Sequence, residues 1–261
     1  MTSDWSSKTS LDIQKTAQII LSSRKGVVLT GAGISTPSGI PDFRSPEDGL
    51  WGSCDPLEVA SLNSFRYDPI KFYHWMKALA KKIVEAKPNA AHVGLVDLER
   101  VGIIKTIITQ NIDALHKKAG SKNVLEVHGT LETLTCVSCY RKYSSADFIK
   151  PYVEDGVIPY CTYCGNILKP DLMLFGEQLP AKTWLKAVEA SRSCDLMIVA
   201  GSSLEVLPVA GLPMRALENG AHMIVINHSH TYLDVRADVV FHEDVAKVIP
   251  AIVEVVQQIN E

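Results

Sequence analysis

Hydrophobic residues in this chain fall in short blocks that end in polar tips. Val27-Val28-Leu29-Thr30 runs into Gly31-Ala32-Gly33, and Ile103–Ile108 runs into Thr109-Gln110-Asn111. Leu196–Ala200 meets Gly201-Ser202-Ser203, and Met223–Ile226 meets Asn227-His228. Apolar blocks of this length predict buried strands. Between them the apolar spacing turns helical. Leu11, Ile13, Ala17, Ile20 and Leu21 mark a helix over 11–24, and Val245, Val248, Ile249, Ile252 and Val256 mark a closing one over Asp244–Ile259. Val239-Val240-Phe241 adds a last strand. Short strands alternating with helices predict an α/β chain with a Rossmann-like, doubly wound parallel sheet. Ligands bind such sheets beyond the carboxyl ends of the strands, so the four polar tips should converge on one crevice.

Residues 129–170 break the pattern. They carry Cys136-x2-Cys139 and Cys161-x2-Cys164, with twenty-one residues between the pairs. Two such knuckles suit one tetrahedral Zn²⁺ held by four thiolates, a closed site with no coordination position left for chemistry. Short polar and aromatic pieces such as Tyr140-Arg141-Lys142-Tyr143 cannot build a large core, so a metal staple is the natural way to hold them. The expected organisation is a Rossmann-like domain from 1–36, 86–128 and 171–261, a cofactor-binding loop and small helical module over 37–85, and a zinc-binding module over 129–170.

Bulk properties narrow the setting. Apolar residues make up 46% of 261, enough for a real core, and a net charge of −3 gives no electrostatic reason to bind nucleic acid or a membrane surface. The first residues lack the basic and apolar regions of a signal peptide, and no apolar run approaches the ~20 residues that span a bilayer. Cys54 and Cys194 look unpaired, and a thiolate zinc suits a reducing compartment. A cytoplasmic protein is expected.

The chemistry must lie at the strand tips. Gly31-Ala32-Gly33 after a strand resembles the opening of a dinucleotide fingerprint, but Thr36 stands where the third glycine would fall. A plain strand-to-loop turn would use the same residues. Pro37, Gly39 and Pro41 then break the helix that should follow, so Ser38–Ser45 reads as a loop, either over the pocket or merely on the surface. It carries Asp42, Phe43 and Arg44. Gln110-Asn111-Ile112-Asp113 occupies another tip, where Asp113 either caps the next helix or joins a polar recognition cluster. His128, just before the zinc module, falls where a cleft between modules is expected. The histidines His74, His92 and His230 read as surface or structural.

Together these motifs resemble the sirtuins, the NAD-dependent protein lysine deacylases. The match runs in order from about residue 12 to 257, through Gly31-Ala-Gly-Ile-Ser35, Ser38-Gly-Ile-Pro-Asp-Phe-Arg44, Thr109-Gln-Asn-Ile-Asp113, His128-Gly129, the four cysteines, Phe175-Gly-Glu177, Gly201-Ser-Ser-Leu204 and Ile226-Asn227. The resemblance implies that His128 is the general base and that Asn111, Ile112 and Asp113 line the nicotinamide pocket. It implies cofactor contacts around the phosphates and nicotinamide ribose at Gly31, Ala32, Gly33, Thr36, Asp42, Phe43, Arg44 and Gln110. Gly201, Ser202, Ser203, Asn227 and Val245 would hold the adenosine half. Acylated peptide would add as a strand between Gly176-Glu177 and Glu205-Val206-Leu207, with Phe175 and Met173 near the acyl chain.

What the resemblance implies chemically is acyl transfer. The amide oxygen of an acetylated lysine attacks carbon 1′ of the nicotinamide ribose, a poor nucleophile that must be held dry and in line. His128 then frees a ribose hydroxyl to attack in turn. The products are lysine, nicotinamide and O-acetyl-ADP-ribose, and NAD is consumed as a co-substrate. Some relatives that remove succinyl or malonyl groups carry a Tyr-x-x-Arg pair where this chain has Tyr73 and Met76. Without the guanidinium an acidic acyl group would be left unpaired, so acetyl or longer apolar acyl chains are expected. A protein ADP-ribosyltransferase is the alternative reading, and an NAD-linked dehydrogenase is disfavoured by the broken fingerprint.

Overall fold

The computed structural model describes residues 5–42 and 55–260. Among these, a six-stranded parallel sheet runs in the order Val124–Glu126 (β3), Ile104–Thr109 (β2), Gly26–Thr30 (β1), Leu196–Ala200 (β7), His222–Ile226 (β8) and Val239–Phe241 (β9). Chain order reverses between β1 and β7, the switch point where such sheets open a crevice. Both central strands are buried along their whole length, because helices cover the two faces. Side chains alternate across a strand. Val28 therefore faces a core with the helices Ser7–Ser22 (α1), Ala90–Arg100 (α5) and Val245–Asn260 (α10). Val27 and Leu29 face the opposite core, under Ala181–Ser193 (α8) and Leu212–Glu218 (α9).

Local signals set the element ends. Ser6 caps α1 by accepting the Thr9 N–H at 3.1 Å, which starts the helix four residues earlier than the apolar stripe suggests. The buried stripe is Ile13, Thr16, Ala17 and Ile20. Leu11 lies off it and is 65% exposed. The short β3 escaped the hydrophobic pattern because only Leu125 of its three residues is buried.

A second, three-stranded antiparallel sheet comprises Lys142–Ser144 (β5), Gly129–Cys136 (β4) and Leu168–Leu172 (β6). With Ala146–Asp155 (α7) it forms the zinc-binding module. The helices Pro56–Val59 (α2), Leu62–Tyr67 (α3) and Pro69–Glu85 (α4) share one core with it, in which Phe65, Phe72, Tyr73 and Met76 pack with Tyr152, Leu172 and Leu174. Tyr73 donates its hydroxyl to the Leu168 carbonyl, and Tyr152 donates to the carbonyl of Tyr73. These bonds tie α4 to the module. Among the described residues no helix is long and apolar enough to cross a membrane.

Candidate active site

The four polar tips do converge. They line a cavity of about 990 Å³, together with α4 and the segment that leaves β6. At its floor the tips of β1 and β7 cross in direct backbone contact. Gly31 N–H donates to Ala200 O at 3.2 Å, and Gly33 N–H donates to Gly201 O at 2.9 Å. A Cβ on Gly31 would stand 2.7 Å from the Gly201 oxygen, and one on Gly33 would stand 2.9 Å from the Gly201 Cα. Gly201 itself has φ +62°, and its added Cβ would lie 2.2 Å from the Ile34 nitrogen. The glycines here let one loop cross another, a demand separate from any approach to a pyrophosphate. Asn89, the N-cap of α5, clamps the same loop by donating to Ile34 O at 2.8 Å and to Ser38 Oγ at 2.9 Å.

Behind this floor sits a buried polar network. Asn111 Nδ2 donates to Gly31 O and to Ser35 Oγ, both at 3.0 Å. Ser35 donates in turn to Asp113 Oδ2 at 2.7 Å, and Asp113 Oδ1 accepts Leu115 N–H at 2.8 Å. Asp113, just before the N-cap Ala114, therefore holds the first N–H of Leu115–Ala119 (α6) with one oxygen while the other faces the site network. Deeper still, Thr109 Oγ1 accepts Asn111 N–H at 3.1 Å and the Thr30 hydroxyl at 2.9 Å. With its proton spent on Thr109, Thr30 accepts from His116 Nε2 at 2.9 Å. Burial pushes the His116 imidazole down to about 3, and that of its neighbour His92 down to about 4. Both rings are neutral near pH 7, so neither adds a positive charge behind the site.

His128 bridges the two sheets. Its Nδ1 lies 3.1 Å from the Gln110 carbonyl at the tip of β2. A carbonyl only accepts, so Nδ1 carries the proton and Nε2 keeps a lone pair. Desolvation lowers its pKa from the usual 6.5, opposed by the bond to Gln110. A ring that is neutral near pH 7, with a free lone pair in the cavity wall, can act as a base. The His128 carbonyl accepts Met173 N–H at 2.8 Å, and Gly129 opens β4 directly behind it. Gln110 Nε2 reaches Ser202 Oγ at 2.8 Å, linking the tips of β2 and β7.

On the far side Phe175 is tied by its backbone to Ala60 and Leu62. The Glu177 carboxylate is spent on its own surroundings, accepting Leu174 N–H at 2.8 Å and pairing with Lys169 at 3.0 Å. Trp75, Met76, Leu79 and Ile83 give the cavity an apolar wall. Tyr73 does not line this cavity; it packs against the module, where Met76 touches it as well.

The four cysteine sulfurs lie within 4.8 Å of one another, with Cys136–Cys164 at 3.4 Å and Cys139–Cys161 at 3.6 Å. A disulfide needs about 2.05 Å. Zn–S bonds of about 2.3 Å place tetrahedral sulfurs roughly 3.8 Å apart, and the cluster fits that ion. It is a structural zinc site.

Comparison with known proteins agrees with this geometry. The Sir2 family profile matches residues 31–208. The chain belongs to the Sir2 family. An NAD-dependent protein deacylase 2 of Archaeoglobus fulgidus is 45% identical over 95% of this chain and 98% of its own. An NAD-dependent protein deacetylase of Saccharolobus solfataricus is also 45% identical, over 94% and 97%. A solved structure on the mechanism and regulation of Sir2 enzymes superposes with a TM-score of 0.90 at 44% identity, covering 96% of this chain and 99% of that one. A Sir2–p53 peptide–NAD+ structure gives 0.83 at 38% identity, over 93% and 97%.

Within this Sir2 chain the cavity lining unites Gly31, Ala32, Gly33, Thr36, Asp42 and Gln110 through Asp113 with His128. It also takes in Met173, Phe175, Gly176, Glu177, Gly201, Ser202, Ser203, Val206 and Asn227. Phe43 and Arg44, like Cys54, lie outside the described residues. The Val245 side chain is buried in the core under α10 and does not line the cavity, so any part it plays falls to its backbone. Ser35, Thr109 and Asn89 organise the site without having been singled out. Ser and Thr inside a motif carry no periodic signal, and Asn89 reads only as a helix cap.

Proposed function

We propose that this Sir2 chain performs its deacetylation with His128 as general base and the tips of β1, β2, β7 and β8 as the NAD cradle. The chain is an NAD-dependent protein deacetylase that transfers the acetyl group from lysine to ADP-ribose. When bound, NAD supplies an electrophilic ribose carbon with nicotinamide as its leaving group. The observation that carries the role of His128 is its bond to Gln110, which fixes the proton on Nδ1 and leaves Nε2 to take one from a ribose hydroxyl.

Other residues bind and orient. Asn111, held by Gly31 and Ser35, and Asp113, held by Ser35, form the wall assigned to nicotinamide, with Ile112 beside them. Gly31, Ala32, Gly33, Thr36 and Asp42 are assigned to the phosphates and nicotinamide ribose with Phe43 and Arg44. Gly201, Ser202, Ser203, Asn227 and the backbone of Val245 are assigned to the adenosine half. The acetyl-lysine segment of a protein or peptide is assigned to Met173, Phe175, Gly176, Glu177 and Val206. Backbone pairing there gives affinity with little side-chain specificity. The apolar wall around Met76 also favours longer apolar acyl chains. The four-thiolate zinc site and the unpaired Cys194 suit a reducing cytoplasm, and the charge of −3 argues against nucleic acid as a partner.

The test is incubation with labelled NAD and an acetyl-lysine peptide. Nicotinamide release with label in an acetylated small molecule is expected, and His128→Ala should abolish it. Label on protein would instead favour the ADP-ribosyltransferase.

A further inference from the structure

Beyond the cysteine cluster, one other group of metal-competent side chains comes together among the described residues. His230, Asp234 and His242 each offer one ligand atom, all within 4.8 Å of one another. They lie on the connection from β8 to β9 and just past the end of β9. We propose that these three residues form a second, separate metal site for a divalent cation of the Zn²⁺ or Ni²⁺ type, at the rim of the cavity beside Asn227.

The distances suit one ion. His230 Nδ1 lies 2.9 Å from Asp234 Oδ2, and His242 Nε2 lies 3.3 Å from the same oxygen. Bonds of about 2.1 Å from one ion to nitrogen and oxygen place neighbouring donors roughly 3.0–3.4 Å apart. The supporting shell is already built. His242 donates its Nδ1 proton to the Asn227 carbonyl at 2.9 Å, which presents Nε2 in ligand form. Asp234 Oδ1 accepts from the Thr231 hydroxyl at 2.8 Å and from its N–H at 3.2 Å, which fixes the carboxylate. The two imidazole rings stand 4.2 Å apart, edge to face. Only His230, 86% exposed, has to settle on arrival of the ion. Two imidazoles and one carboxylate select borderline first-row cations over Mg²⁺ or Ca²⁺. Three protein ligands leave positions open to water or to a group entering the cavity, which His230 also lines.

The experiment is calorimetric titration of the reduced, zinc-loaded protein with Ni²⁺, with a colorimetric indicator reporting any zinc released. The wild type should take up one further equivalent while keeping its thiolate zinc. His230→Ala, at an exposed position, should weaken that uptake by more than about tenfold, and His228→Ala next to it should leave the uptake intact. No uptake by the wild type overturns the proposal. So does equal uptake by His230→Ala, loss of uptake in His228→Ala, or nickel binding matched by zinc release.

Discussion

The Ser35 hydroxyl donates to Asp113 Oδ2 at 2.7 Å while it accepts from Asn111 Nδ2 at 3.0 Å. One small side chain, 1% exposed, therefore sets the spacing of the two polar residues assigned to the nicotinamide wall. Ser35→Ala should cost about 1–3 kcal/mol of stability, since it strips two buried groups of a partner. It should also lower kcat/KM more than about tenfold through misplacement. Steady-state kinetics beside thermal melts will test this, and an unchanged kcat/KM would remove Ser35 from the site.

His128→Ala should reduce deacetylation by about 10²–10⁴-fold, with NAD binding retained in equilibrium titrations. The proposed base would work as the neutral ring, and burial holds the His128 pKa below the usual 6.5. The acid limb of the rate profile should therefore fall below pH 6.5, with a plateau from there to pH 7. A limb centred above pH 7 would contradict the assignment.

The paired rings of His92 and His116 predict a pH effect on folding. Their folded-state values, about 4 and about 3, lie below the ordinary 6.5. Between those limits the unfolded chain binds protons that the native chain does not, so stability is present above pH 6.5 and is lost on acidification. By pH 5 each ring should cost roughly 2 kcal/mol. Urea unfolding of wild type and His116→Gln at pH 7 and pH 5 measures this. The variant should lose less on acidification.

The four thiolates should hold one tightly bound zinc per chain, and Cys161→Ser should lose it. Without the ion the cluster around Leu134, Cys136, Cys161 and Leu168 is too small to hold the module. Atomic emission together with melting curves should show metal and stability falling in step.

Met76, buried in the apolar wall, predicts that acetyl-lysine peptide is preferred over succinyl-lysine peptide by more than about a hundredfold, since an unpaired buried charge costs about 3–5 kcal/mol. Met76→Arg should narrow that gap. Parallel kcat/KM measurements on both peptides will show it.

Some of this was legible in the residue order alone. Strands buried on both faces, such as Leu196–Ala200, announce themselves as unbroken apolar runs, and the cysteine spacing announces the metal. Asn111 was found because it follows a strand whose tip must converge with others, and His128 because it stands where a cleft between modules is expected. The short β3, the clamp from Asn89 and the crossing of Gly33 under Gly201 were not legible. Each depends on which segments meet in space, and sequence periodicity reports only which face is buried. Tyr73 is the instructive case. It and Met76, three residues apart, both face the module, but only Met76 also reaches the cavity.

His128 is gripped from two directions, its ring by the carbonyl of Gln110 in the parallel sheet and its own carbonyl by Met173 beyond the antiparallel one. The proposed base is thus a rivet through the seam between two bodies. Any tilt of the zinc-bearing body against the NAD-bearing one is felt first at the imidazole, as a change in where its lone pair aims. An ion that performs no chemistry would thereby keep watch over the proposed proton transfer.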